Sequence, residues 1–163
     1  MFIFLIESII ICLLFTAFVF LVLLRQPAEC INDWPPAVKA RIKAENLFEV
    51  KDVRITKKEV IRKIIGCLIF VVLIGLLLKY VNKISTFWAG VFTSYGIWFI
   101  VDWWDALVVD VICCKCKKVR IAGTETWDKE YDNLWFHIKM SFVGMGLGVP
   151  FALLVGLFVQ LIG

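Results

Sequence analysis

Apolar and polar positions in this chain fall into long blocks rather than into the short stripes of an amphipathic helix or strand. Residues 2–24 contain one charged side chain, Glu7. Further apolar blocks cover 64–81, with Lys79 near the end, then 85–114 and 140–162. Stretches of 15 to 24 consecutive residues have no Asp, Glu, Lys or Arg at all. Lipid tolerates such stretches, whereas a soluble helix needs a polar face. Spanning a bilayer takes about 20 apolar residues. The pattern therefore predicts an all-α, polytopic membrane protein: a single membrane domain, 1–163, built as a four-helix transmembrane bundle. The spans are 2–24, 64–81, 85–114 and 140–162. They are joined by loops 25–63 and 115–139 and by a short turn, 82–84.

Composition agrees, with 61% hydrophobic residues and a mean hydropathy of +0.88. The first block lacks a basic leader and is too long for a signal peptide, and Gln26-Pro27-Ala28-Glu29-Cys30 is not a cleavage site. Thr56-Lys57-Lys58-Glu59 has capping-box spacing, so the second helix starts in the loop about two turns before the apolar block.

Charge then assigns orientation. Loop 25–63 holds ten Lys and Arg residues and loop 115–139 holds six, against Lys79 and Lys83 elsewhere. The positive-inside rule places both basic loops in the cytoplasm and both termini outside, in a plasma or inner membrane. The net charge of +4 is explained by this topology and gives no reason to expect nucleic acid. The first loop carries an amphipathic segment, Ala37 to Phe48, preceded by Trp34 and Pro35-Pro36. It suits either the inner membrane surface or the other loop. With Gly123 marking a turn and Trp127, Tyr131 and Trp135 available for packing, the two loops are expected to form a small cytoplasmic cap.

Ionisable groups inside spans are costly and are functional candidates by default. At 100° per residue, Asp102 and Asp105 lie about 60° apart and Asp110 lies about 80° to the other side of Asp102. Tyr95 and Trp98 share that face. The three carboxylates suit a cation-binding face open to the cytoplasm, within reach of Arg120 and the only histidine, His137. An interfacial, merely hydrated placement beside Trp103 and Trp104 fits the same spacing. Asp102-x-x-Asp105 resembles a fragment of the CDP-alcohol phosphotransferase motif. The Gly-x-x-Ala-Arg continuation and second Asp pair of that family are absent, and no family is assigned.

Glu7 and Lys79, both within two turns of the outer face, are expected to form a structural ion pair. Gly144-x-x-x-Gly148, extended by Ala152 and followed by Pro150, is a small-residue ridge for close helix packing. Cys113-x-x-Cys116 with His137 falls short of the four ligands of a zinc site, and no metal site is assigned. These features leave three functions open. One is binding or transport of a cationic or polar small substrate, with the protein as a homo-oligomer. Another is a lipid or isoprenoid head-group enzyme that uses an Asp-bound divalent cation. The third is an accessory subunit with a partner in a membrane complex.

Overall fold

The computed structural model describes residues 2–25, 31, 34–47 and 57–163. The expected N-cap Thr56, Phe48, Cys30 and the side chains of Glu59 and Cys114 lie outside the described residues. Those described are helical or in turns, with no strand. In chain order the helices are α1 (Phe2–Arg25), α2 (Pro36–Glu45), α3 (Lys57–Tyr80), α4 (Phe87–Trp104), α5 (Asp110–Lys115), α6 (Asp128–Tyr131) and α7 (Leu134–Leu161). A π-turn, Asp105–Val109, joins α4 to α5, and a 3₁₀ turn, Lys117–Val119, follows α5.

Two stretches, Ile3–Arg25 and Asp128–Leu161, are long and apolar enough to cross a membrane, and Ile64–Tyr80 is an apolar but shorter helix. Only 17% and 28% of the most apolar windows of the two long stretches are buried within the chain. The core helix of a soluble protein buries most of its apolar stripe. The structure thus supports an all-helical protein with two helices able to span a bilayer, fewer than the four expected. The reasons are local. Basic residues occupy the first two turns of α3, and four tryptophans, Tyr95 and Asp102 dilute the apolar character of α4.

The chain divides into two compact units, with boundaries inside α1, α4 and α7. The first comprises Met1–Ile9, Val53–Asp102 and Val143–Gly163. Within it α4 packs on a row of small residues on α7, spaced four apart so that they share one face: Gly144, Gly148, Ala152 and Gly156. A Cβ at Gly156 would stand 2.8 Å from the Phe87 carbonyl oxygen. One at Gly90 would stand 3.0 Å from the Gly156 Cα. Here backbone meets backbone, which only glycine permits. Gly146 points elsewhere, and nothing lies within 4 Å of a Cβ there.

The second unit comprises Ile10–Asp52 and Trp103–Phe142. Its core gathers Trp34, Val38 and Ile42 with Val109, Cys113, Val119, Ile121, Trp127 and Tyr131. Both Val38 and Ile42, one helical turn apart on α2, are fully buried. Of the two placements open to this amphipathic helix, the structure shows packing on the other loop. Asn46 ends α2 in the left-handed conformation, its N–H donating to the Ile42 carbonyl. Gly123 turns the second loop at φ +85°, a value that penalises other residues.

Candidate functional site

The cap of the second unit is built around buried polar groups with named partners. Tyr131 is fully buried. Its hydroxyl lies 2.7 Å from Thr124 Oγ1 and accepts from the Ile121 N–H at 3.3 Å, while Thr124 Oγ1 donates to the Ile121 carbonyl. Burial pushes the Tyr131 phenol above its usual range. Arg120, also buried, donates to the Glu125 carbonyl at 2.8 Å and to Asp128 at 2.6 Å, with its guanidinium over the Tyr131 ring. That hydrogen bond holds the Asp128 carboxyl below its ordinary range. Arg41 reaches across from α2 to Glu130 at 2.6 Å and lies 4.3 Å from the Trp127 ring centre, and Glu130 is likewise held low by Arg41. Arg120 thus braces the cap through Glu125, Asp128 and the Tyr131 ring.

Beneath this network lies a cavity of about 250 Å³. Phe15, Phe18, Val19, Val22 and Leu23 of α1 form one wall, and Trp34, Asp105, Asp110 and Cys113 complete it. The α1 wall is there because these residues repeat at three- and four-residue spacing on one helix face. The π-turn helps bring both aspartates to this lining. In a regular α-helix, residues five apart diverge by about 140°. Here the Asp110 N–H donates to the Asp105 carbonyl, the wider i to i+5 ring of a π-turn, which reduces that divergence. Two acids that a uniform helix would aim apart therefore line one cavity.

Asp110 has a strong partner, since its Oδ2 lies 2.6 Å from Nδ1 of the buried His137. His137 also lines a second recess of about 130 Å³ with Val111, Lys115, Asp132 and Leu134. Lys115, Asp132 and Leu134 are exposed, so this recess reaches solvent. The Trp34 indole N–H is buried without a hydrogen-bond partner among the described residues, and its ring meets Tyr131 edge-on at 4.8 Å between centres.

The remaining candidates belong to the first unit. The Trp98 indole donates to the Gly144 carbonyl at 3.0 Å, and the Tyr95 hydroxyl donates to the Met145 carbonyl at 3.4 Å. Both brace α7 just before Pro150, which removes the N–H that would otherwise bond residue 146. Asp102 sits over Gly144 and Trp98 over Gly148, where an added Cβ would collide with either side chain. These three residues therefore carry helix packing, and the acidic face expected to be continuous is divided between packing and a cavity.

The expected Glu7–Lys79 pair gives way to a different arrangement. Asn82 donates to both oxygens of Glu7, at 3.0 and 2.9 Å. Lys79 places its ammonium beside Gly163, at the carbonyl end of α7, where the helix dipole favours a cation. Among the described residues no three His, Cys, Asp or Glu side chains gather as metal ligands, so a divalent cation on the aspartates draws no support from the geometry. Sequence reasoning missed the π-turn; it expected His137 within reach of the aspartates, and the structure pairs it with Asp110. The spacing of the aspartates could have hinted at the turn, since only a local change of helical period aligns residues 105 and 110. Comparison with family models, with curated proteins and with solved structures finds no match.

Proposed function

We propose that this chain is a multi-pass plasma- or inner-membrane protein that binds a small organic cation for transport, acting as a homo-oligomer. In this reading four helices span the bilayer, both basic loops face the cytoplasm and both termini lie outside. The Lys and Arg distribution supports that orientation. Helical backbone continues unbroken from Phe87 through the π-turn to Lys115, more residues than the roughly 20 a span needs. Ile64–Tyr80, at 17 residues, sits at the short end of the usual range of about 17–25. The outward apolar side chains of α1, α3 and α7 would be covered by lipid.

One observation carries the functional reading: Asp105 and Asp110 line a cavity otherwise walled by aromatic and aliphatic side chains and Cys113. Carboxylates in such surroundings gain most from a cation that is itself partly apolar, because its desolvation costs little and nearby ring faces attract it. An inorganic ion would need several more oxygen ligands.

The test is calorimetric titration of the full chain in lipid nanodiscs with benzyltrimethylammonium. Binding is expected in the wild type, with affinity at least about tenfold lower, or 1.4 kcal/mol, in Asp105→Asn and Asp110→Asn. Phenylpropionate, of similar size and opposite charge, should not bind. Equal binding of cation and anion, or indifference to both substitutions, would overturn the proposal.

A further inference from the structure

The His137–Asp110 pair joins two spaces of different character. Asp110 faces the apolar cavity with Asp105 and Cys113, and His137 faces the recess bounded by the exposed Lys115 and Asp132. The α1 wall brings no titratable group to either space. We propose that this pair exchanges a proton for the cation: binding beside Asp110 releases one proton from His137 through the recess. The inference rests on the cation reading above and adds a coupling to it.

The step balances as follows. In the proposed exchange the cation-free state has an imidazolium at His137 donating from Nδ1 to the Asp110 carboxylate, whose Oδ2 lies 2.6 Å away. An organic cation arriving at Asp105 and Asp110 places a second positive charge near the imidazolium and disfavours it. The proton leaves from Nε2 into the recess and on to solvent. Nδ1–H stays on the ring and still donates to Asp110, so both carboxylates remain ionised and now face the cation. One positive charge enters the cavity and one leaves through the recess. Histidine suits this exchange because its charge changes between about pH 5 and 8.

His137 is the only histidine in the chain, so ¹⁵N-histidine labelling gives a single imidazole to follow by NMR in the intact protein. With saturating benzyltrimethylammonium the titration midpoint of His137 is expected to fall. Affinity for the probe should rise with pH, by up to about tenfold per unit below the midpoint of the free protein. His137→Gln keeps a donor for Asp110 and should bind the probe with pH-independent affinity. Probe binding that leaves the His137 midpoint in place would overturn the exchange while sparing the cation reading. So would a pH dependence that persists in His137→Gln. A wild type that does not bind the probe overturns both. If His137→Gln does not fold, the wild-type NMR titration decides alone.

Discussion

Asp102 and Asp105 stand three residues apart in one apolar block, yet they belong to units held together in different ways. In the unit containing Asp102, helices approach on small residues, and polar side chains are spent on backbone: Trp98 on the Gly144 carbonyl and Tyr95 on the Met145 carbonyl. In the unit containing Asp105, a polar cap of Arg120, Asp128, Thr124 and Tyr131 surrounds an apolar core, and a cavity remains below it. The difference lies in helix geometry as well as composition. Regular α4 presents Asp102 to the glycine ridge, whereas the π-turn beginning at Asp105 resets the period so that Asp110 shares a cavity with it. A carboxylate in an apolar helix is a functional candidate only after its helical period is known.

The strongest way to break this comparison is through the cap core. Ile42→Ala should cost about 3 kcal/mol, because the side chain is fully buried among ring and aliphatic neighbours. The loss should appear as faster proteolysis in loops 25–63 and 115–139 while helical circular dichroism is retained. Loss of all helical signal would mean that the units are not separately stabilised.

A smaller effect is expected on the ridge. Gly156→Ala places a methyl against the Phe87 backbone, so α4 and α7 must separate, at a cost of about 1–3 kcal/mol. Gly146→Ala meets open space and should instead be neutral or gain up to about 1 kcal/mol from helix propensity. Thermal unfolding in one detergent separates them, and equal effects would mean that the ridge does not carry the packing.

The smallest effect comes with acid. Asp128 and Glu130 have carboxyls held below their unfolded values, so their contribution is present above the ordinary carboxylate range and lost as pH falls through the folded values. Asp128 is exposed and Glu130 half-buried, so only modest loosening of the cap is expected below about pH 4. Asp128→Asn should remove part of that dependence in the same proteolysis assay.

Much of the helical order was legible in the sequence, because a block without charge admits few structures. The expected blocks 2–24 and 140–162 correspond to α1 and to most of α7, and the turn 82–84 falls between α3 and α4. Helix α7 begins six residues earlier than the apolar block, at Leu134, since Phe136 and His137 have partners in the chain that hydropathy does not register. The break in the third block was not legible. A shift from i+4 to i+5 hydrogen bonding at Ala106 to Val109 changes no side chain and leaves no signal in composition. The amphipathic pattern of α2 showed which face is buried, at Val38 and Ile42, but could not identify the covering surface. For the site, residue types were readable and their grouping was not: the acids stand out as ionisable groups in an apolar block, while the division between packing and cavity depends on the π-turn.

The most direct measurement is titration of benzyltrimethylammonium against three single variants, Asp102→Asn, Asp105→Asn and Asp110→Asn, each reconstituted in nanodiscs. Asp102→Asn should bind within about twofold of the wild type, and the other two should lose at least about tenfold. Equal losses in all three would restore one continuous acidic face and contradict the division of roles at the π-turn.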